Sequence, residues 1–74
     1  MQTEEFELTA VDREILAIAR KHPAWSGLVD ALVRERLGMT SAAFYQRLVF
    51  LSRQRAAIEH DPMTTRMVRE WRRR

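Results

Sequence analysis

Between Leu28 and Leu51 two apolar-periodic segments are interrupted by Leu37-Gly38-Met39-Thr40, and that interruption limits what the chain can fold into. A glycine at the end of a helical pattern favours the left-handed backbone conformation that stops a helix and turns the chain. Thr40 is placed to cap the next helix, its hydroxyl accepting from a free backbone N–H. Beyond it Phe44, Leu48 and Leu51 recur at helical spacing and predict a buried stripe facing the preceding helix. Ala42, Tyr45, Gln46, Val49 and Arg53 are then turned outward. Two short helices joined this tightly are the pattern of a helix-turn-helix, whose second helix commonly enters the DNA major groove.

The rest of the sequence predicts an all-α domain. Thr9-Ala10-Val11-Asp12 resembles a capping box with aspartate in place of glutamate, starting a first helix at about residue 9. Val11, Ile15, Ile18 and His22 are its expected inner stripe, with Leu16 and Ala19 flanking, and Pro23 ends it. Ala24 and Trp25 lie in the connection. Ser26 is the expected cap of a second helix reaching Leu37, with Leu28, Val29, Leu32, Val33 and Leu37 on its apolar face. The third helix is expected from Ser41 toward Ala57. Asp61-Pro62 is a strong start for a fourth, aspartate capping and proline pre-set at the first helical position. Met63, Met67 and Trp71 recur along that helix with Val68 beside them.

The expectation is a small four-helix domain: an acidic tail over residues 1–8, whose Phe6 and Leu8 are able to tuck against the body, then a single unit over 9–74. Its helix-turn-helix occupies about 27–57 and its C-terminal helix about 62–74. Seventy-four residues are near the lower limit for a core that folds unaided, and no cysteine is present to staple it. Packing between helices, or association with a second copy, has to supply the stability. No apolar run approaches a membrane span, and the acidic start MQTEEFEL is unlike a signal peptide, so a cytoplasmic location is expected.

The net charge of +3 conceals a gradient. Residues 1–14 carry five acids against Arg13, whereas from Arg34 onward ten arginines face Glu35, Glu59, Asp61 and Glu70. This asymmetry suits a molecule with one side toward a polyanion, and arginine suits phosphate and guanine. It is also the pattern a GC-rich genome produces by default.

Leu8-Thr9, Glu14-Ile15-Leu16, Arg36-Leu37-Gly38-Met39-Thr40, Phe44-Tyr45-Gln46-Arg47-Leu48 and Asp61-Pro62 with the arginine-rich end resemble a small family of uncharacterised actinobacterial and phage proteins. The resemblance runs from about Leu8 to Arg74 and implies a helix-turn-helix, with no established activity. The stretch from Arg36 through Leu48 is also similar to the promoter-reading helix-turn-helix of sigma factors. There Phe44 takes the place of a buried valine, a departure bearing on the angle between the helices.

Candidate base-reading residues are Ala42, Tyr45, Gln46 and Val49. Gln46 carries the sharpest chemistry, since glutamine pairs bidentately with adenine. An ordinary solvated glutamine is the alternative, and Tyr45 suits half-buried packing as well as it suits a phosphate. Arg34, Arg36, Arg47, Arg53 and Arg55 are candidate phosphate ligands, which supply affinity and register rather than sequence information. Arg69, Arg72, Arg73 and Arg74, with Arg66 beside them, are a candidate basic arm. The plainer account is that cations complement a helix C-terminus.

A non-enzymatic, DNA-binding transcriptional regulator is the leading expectation, with a homodimer on paired half-sites as the route to specificity. The alternative is a module docking on RNA polymerase or another regulator through Val49, Phe50, Met63, Met67 and Trp71. His22 and His60 lack neighbouring ligands, so no metal is expected, nor any cofactor, small-molecule ligand or membrane partner. No nucleophile–base pair, phosphate-cradling loop or tuned carboxylate pair occurs, which argues against catalysis.

Overall fold

A computed structural model describes residues 6–72 as five helices: α1 (Ala10–Lys21), α2 (Gly27–Leu37), α3 (Ser41–Leu51), α4 (Arg55–His60) and α5 (Pro62–Arg72). Each boundary has a local cause. Thr9 and Asp12 form the reciprocal capping box of α1, with Asp12 N–H donating to Thr9 Oγ1 at 3.0 Å and Thr9 N–H to Asp12 Oδ2 at 3.1 Å. Ser26 caps α2 through the N–H of Val29, and Thr40 caps α3 through that of Ala43. Gly38, at φ 65°, ends α2 in the left-handed region and donates its N–H to Arg34 O. Asp61 Oδ1 accepts from Thr64 N–H, and Pro62 opens α5.

The expected third helix is two. It stops at Leu51, and α4 begins only at Arg55. The Ser52 hydroxyl donates to Val49 O at 2.6 Å, and the N–H groups of Arg53 and Gln54 reach back only three residues, to Phe50 O and Leu51 O. Such tight bonding closes a helix rather than extending it. Arg69 on α5 completes the break by donating Nη1–H to Ser52 O at 2.7 Å, occupying a carbonyl that a continuing helix would offer to residue 56.

The core gathers Ile15, Leu16, Ile18 and Ala19 of α1, Val29 and Val33 of α2, and Phe44, Leu48 and Leu51 of α3, with Ala57 and Val68 beneath. Helix α3 lies centrally, packed on α1, α2 and α5, while α4 rests on α5. Several expected positions shift. Val11 is 49% exposed and Asp12 turns inward in its place. Leu28, assigned to the apolar face of α2, is 67% exposed. On α5 the buried face is Thr64, Thr65 and Val68 rather than the methionine stripe, and Met63 is 80% exposed. Thr65 satisfies its hydroxyl on Asp61 O and Pro62 O, so its burial leaves no donor unpaired. Phe6 and Leu8 do tuck from the tail against the core, the packing their apolar side chains allowed.

Among the described residues no helix is long and apolar enough to cross a membrane. The two glycines make opposite predictions, although a Cβ on either would meet no atom within 4 Å. Gly38→Val should destabilise the fold by about 1–2 kcal/mol, through the left-handed backbone alone. Gly27→Ala, in a helical conformation, should stabilise it by about 0.4–1 kcal/mol. Equilibrium urea denaturation followed by circular dichroism measures both.

Candidate nucleic-acid interface

Helix α3 is apolar where it meets the core and also carries Phe50, 41% exposed, away from its buried stripe. Phe44, Leu48 and Leu51 are buried, which leaves Ala42, Ala43, Gln46 and, just past the helix end, Arg53 exposed on the far side. Tyr45 is 39% exposed on one flank. Val49 is half-buried against the core and lies at the edge of the outward face rather than on it. Three of the four candidate base readers, Ala42, Tyr45 and Gln46, therefore stand open to solvent.

The elbow that presents this helix is tied by side chains. The Ser41 hydroxyl, at the start of α3, donates to Asp30 Oδ1 on α2, and Arg34 Nε donates to Asp30 Oδ2 at 3.2 Å. The Ser41 hydrogen bond, against burial and with Arg34 assisting, holds the Asp30 carboxyl below the usual carboxylate range. Gly38 turns the chain between the two helices without steric strain.

The arginines divide by what they already hold. Arg47 is engaged within the fold: its Nε and Nη2 donate to Asp12 Oδ1 and Oδ2 at 2.9 and 3.1 Å. Its guanidinium also lies 4.9 Å from the Phe50 ring centroid and 5.5 Å from that of Phe6. Arg47, expected as a phosphate ligand, thus already holds a carboxylate within the fold, with its side chain 38% exposed. Arg34, Arg36 and Arg55 pair with Asp30, Glu14 and Glu59, but all three guanidiniums remain largely exposed. Exposed pairs of this kind are worth about 0.2–1 kcal/mol, so little opposes their transfer to phosphate. Arg53 has no acidic partner among the described residues.

The remaining candidates are scattered. Arg69 is tied to Ser52 O and Arg66 to Glu70. The Arg72 side chain, Arg73 and Arg74, the end of the expected basic arm, lie outside the described residues. Phe50 is partly covered by Phe6 in an edge-to-face contact with centroids 5.4 Å apart. Met67 and Trp71 are half-buried. No group of three or more metal-ligating side chains is assembled among the described residues.

Sequence reasoning named Asp12 only for the α1 cap and Phe6 only as able to tuck against the body, and it did not single out Asp30 or its tie to Ser41. The Asp30–Arg34 spacing of four was legible as a helical ion pair. Asp12 and Arg47 are separated by 35 positions and gave no signal. Burial pushes the Asp12 carboxyl up, but the Arg47 hydrogen bonds and charge and the Thr9 N–H together outweigh it and hold the carboxyl below its ordinary value. A depressed folded-state pKa contributes stability that is present above the unfolded value of about 3.9 and lost as pH falls through the folded one. Asp12→Asn should therefore flatten the acid limb of the stability–pH curve. Arg47→Met should cost about 2–3 kcal/mol at neutral pH, less than for a fully enclosed pair because Arg47 is partly solvated. Urea titrations stepped through acid pH check both.

No curated protein and no solved structure matches the chain. A family model described as a protein of unknown function (DUF3263) matches residues 7–74. With nearly its whole length matched, the chain belongs to that family.

Proposed function

We propose that this protein is a non-enzymatic DNA-binding regulator in which α2 and α3 act as a helix-turn-helix and α3 enters the major groove. The observation that carries the proposal is the outward side of α3. Ala42, Gln46 and Arg53 lie along it exposed, on a helix whose start is set by Gly38 and Thr40 and tied to α2 through Ser41 and Asp30. Gln46 reads a base edge, Ala42 permits close approach, and Tyr45 contacts the flank. Arg53 holds phosphate directly, and Arg34, Arg36 and Arg55 do so by exchanging weak surface partners for the backbone. One module offers few base contacts, so a pair of copies on paired half-sites supplies specificity.

The protein-docking alternative is left with less surface than its sequence promised. Of its five residues, Phe50 is covered in part by Phe6, while Val49, Met67 and Trp71 are half-buried, which leaves Met63 fully open.

Selection from a random duplex library, followed by fluorescence anisotropy on the enriched sequence at stepped salt, tests the proposal. Gln46→Ala should relax sequence preference by about 1–3 kcal/mol at one position. Arg53→Ala should weaken binding to every sequence and lower the salt slope by about one. No enrichment and no salt-dependent retention would remove DNA as the partner. Enrichment with both variants behaving as the parent would move the contact face elsewhere.

A further inference from the structure

Four of the six aromatic residues converge on one place beside the outward face of α3, which shares Ala42 and Tyr45 with it. Trp25, Phe44, Tyr45 and Trp71 line a cavity of about 500 Å³, partly open to solvent, between the end of α1, the start of α3 and the last turns of α5. Its floor is preformed core: Phe44, Val29 and Leu48 are each at most 2% exposed. Its rim leaves aromatic surface in water, with Trp25 48% and Tyr45 39% exposed, and the Trp25 and Phe44 rings lie 5.6 Å apart at 42°.

Its lining is chemically selective. Among the described residues no carboxylate, guanidinium or ammonium lines the cavity, so a charged guest would lose its hydration without gaining a counter-charge from them. The Ser41 hydroxyl is already committed to Asp30. The His22 imidazole and the Tyr45 hydroxyl remain as hydrogen-bonding groups at the wall. An apolar cavity of about 150 Å³ already holds one benzene ring, and small-molecule sites run about 300–1,000 Å³. A predominantly apolar, aromatic-lined concavity with a few polar groups is the usual form of such a site.

We infer that this cavity is a binding site for a small uncharged aromatic molecule of two or three fused rings carrying one hydroxyl or ring nitrogen. The rings stack against Trp25, Tyr45 and Trp71, and the polar group meets His22 or the Tyr45 hydroxyl. Ala42 and Tyr45 also stand on the face proposed for DNA, but every described wall belongs to this chain, so the guest needs no DNA in order to bind.

The test uses 2-naphthol as probe and the indole N–H resonances of Trp25 and Trp71 as readout, on the full chain without DNA. Two variants of α3 provide the discrimination. Ala42→Phe places a ring at the cavity wall, whereas Ala43→Phe adds the same ring at an exposed position of the same helix that does not line the cavity. The expected result is a saturable shift of both indole signals that Ala42→Phe weakens by about tenfold or more and Ala43→Phe leaves in place. 2-Naphthalenesulfonate, similar in ring shape but anionic, should bind more weakly. Overturning results are an absence of saturable shifts, equal loss in the two variants, or equal binding of the sulfonate. Dimerisation abolished by Ala42→Phe, with no naphthol binding, would assign the cavity to a second copy and also overturn the inference.

Discussion

The carboxylate of Asp12, 1% exposed in a domain of this size, is the constraint around which the other parts are arranged. A lone buried carboxylate would be costly, and this one is matched on both sides: by the Thr9 cap within its own helix and by the two-pronged Arg47 contact from α3. Because it serves the cap and the arginine together, the register of α1 and its placement on α3 are set by one group. An apolar side chain at that position would pack against α3 in several ways. A bidentate ion pair accepts few.

Helix α3 is held by polar ties at its start, middle and end: Ser41 to Asp30, Arg47 to Asp12, and the Ser52 carbonyl to Arg69. Each reaches a different helix, so the three fix position and rotation where the apolar contacts of Phe44, Leu48 and Leu51 alone would permit sliding. What solvent meets on α3 is the remainder left by those commitments. Ala42, Ala43, Tyr45 and Gln46 form that remainder, with Phe50 partly covered by Phe6 and Arg53 just past the helix end.

The parts of the fold legible in the sequence are those decided within a few residues. Thr9 with Asp12, Ser26, Gly38, Thr40 and Asp61-Pro62 each act on backbone no more than four positions away, and each stands where its chemistry places it. The periodic core of Phe44, Leu48 and Leu51 was equally plain. The misjudged features depend on partners distant in the chain. Nothing near Ser52 announces that Arg69, 17 residues on, takes its carbonyl and divides a helix in two. Hydropathy favours Val11 over Asp12 for the interior, and Arg47 together with the Thr9 cap reverses that order. In the candidate site, the outward placement of Ala42 and Gln46 followed from helical geometry. The pairing of Arg47 with Asp12 did not, because a side chain's angular position says nothing of what another helix brings to it.

Phe6 lies outside every helix, yet it flanks the Arg47 guanidinium together with Phe50. The boundary of secondary structure and the boundary of the folding unit therefore differ. A chain trimmed to begin at the Thr9 cap would keep all five helices and every core residue while stripping one aromatic face from the ion pair that joins α1 to α3. Fragments cut by helix limits would be expected to retain helicity but lose cohesion, so the first safe residue for a shortened chain precedes the first helix.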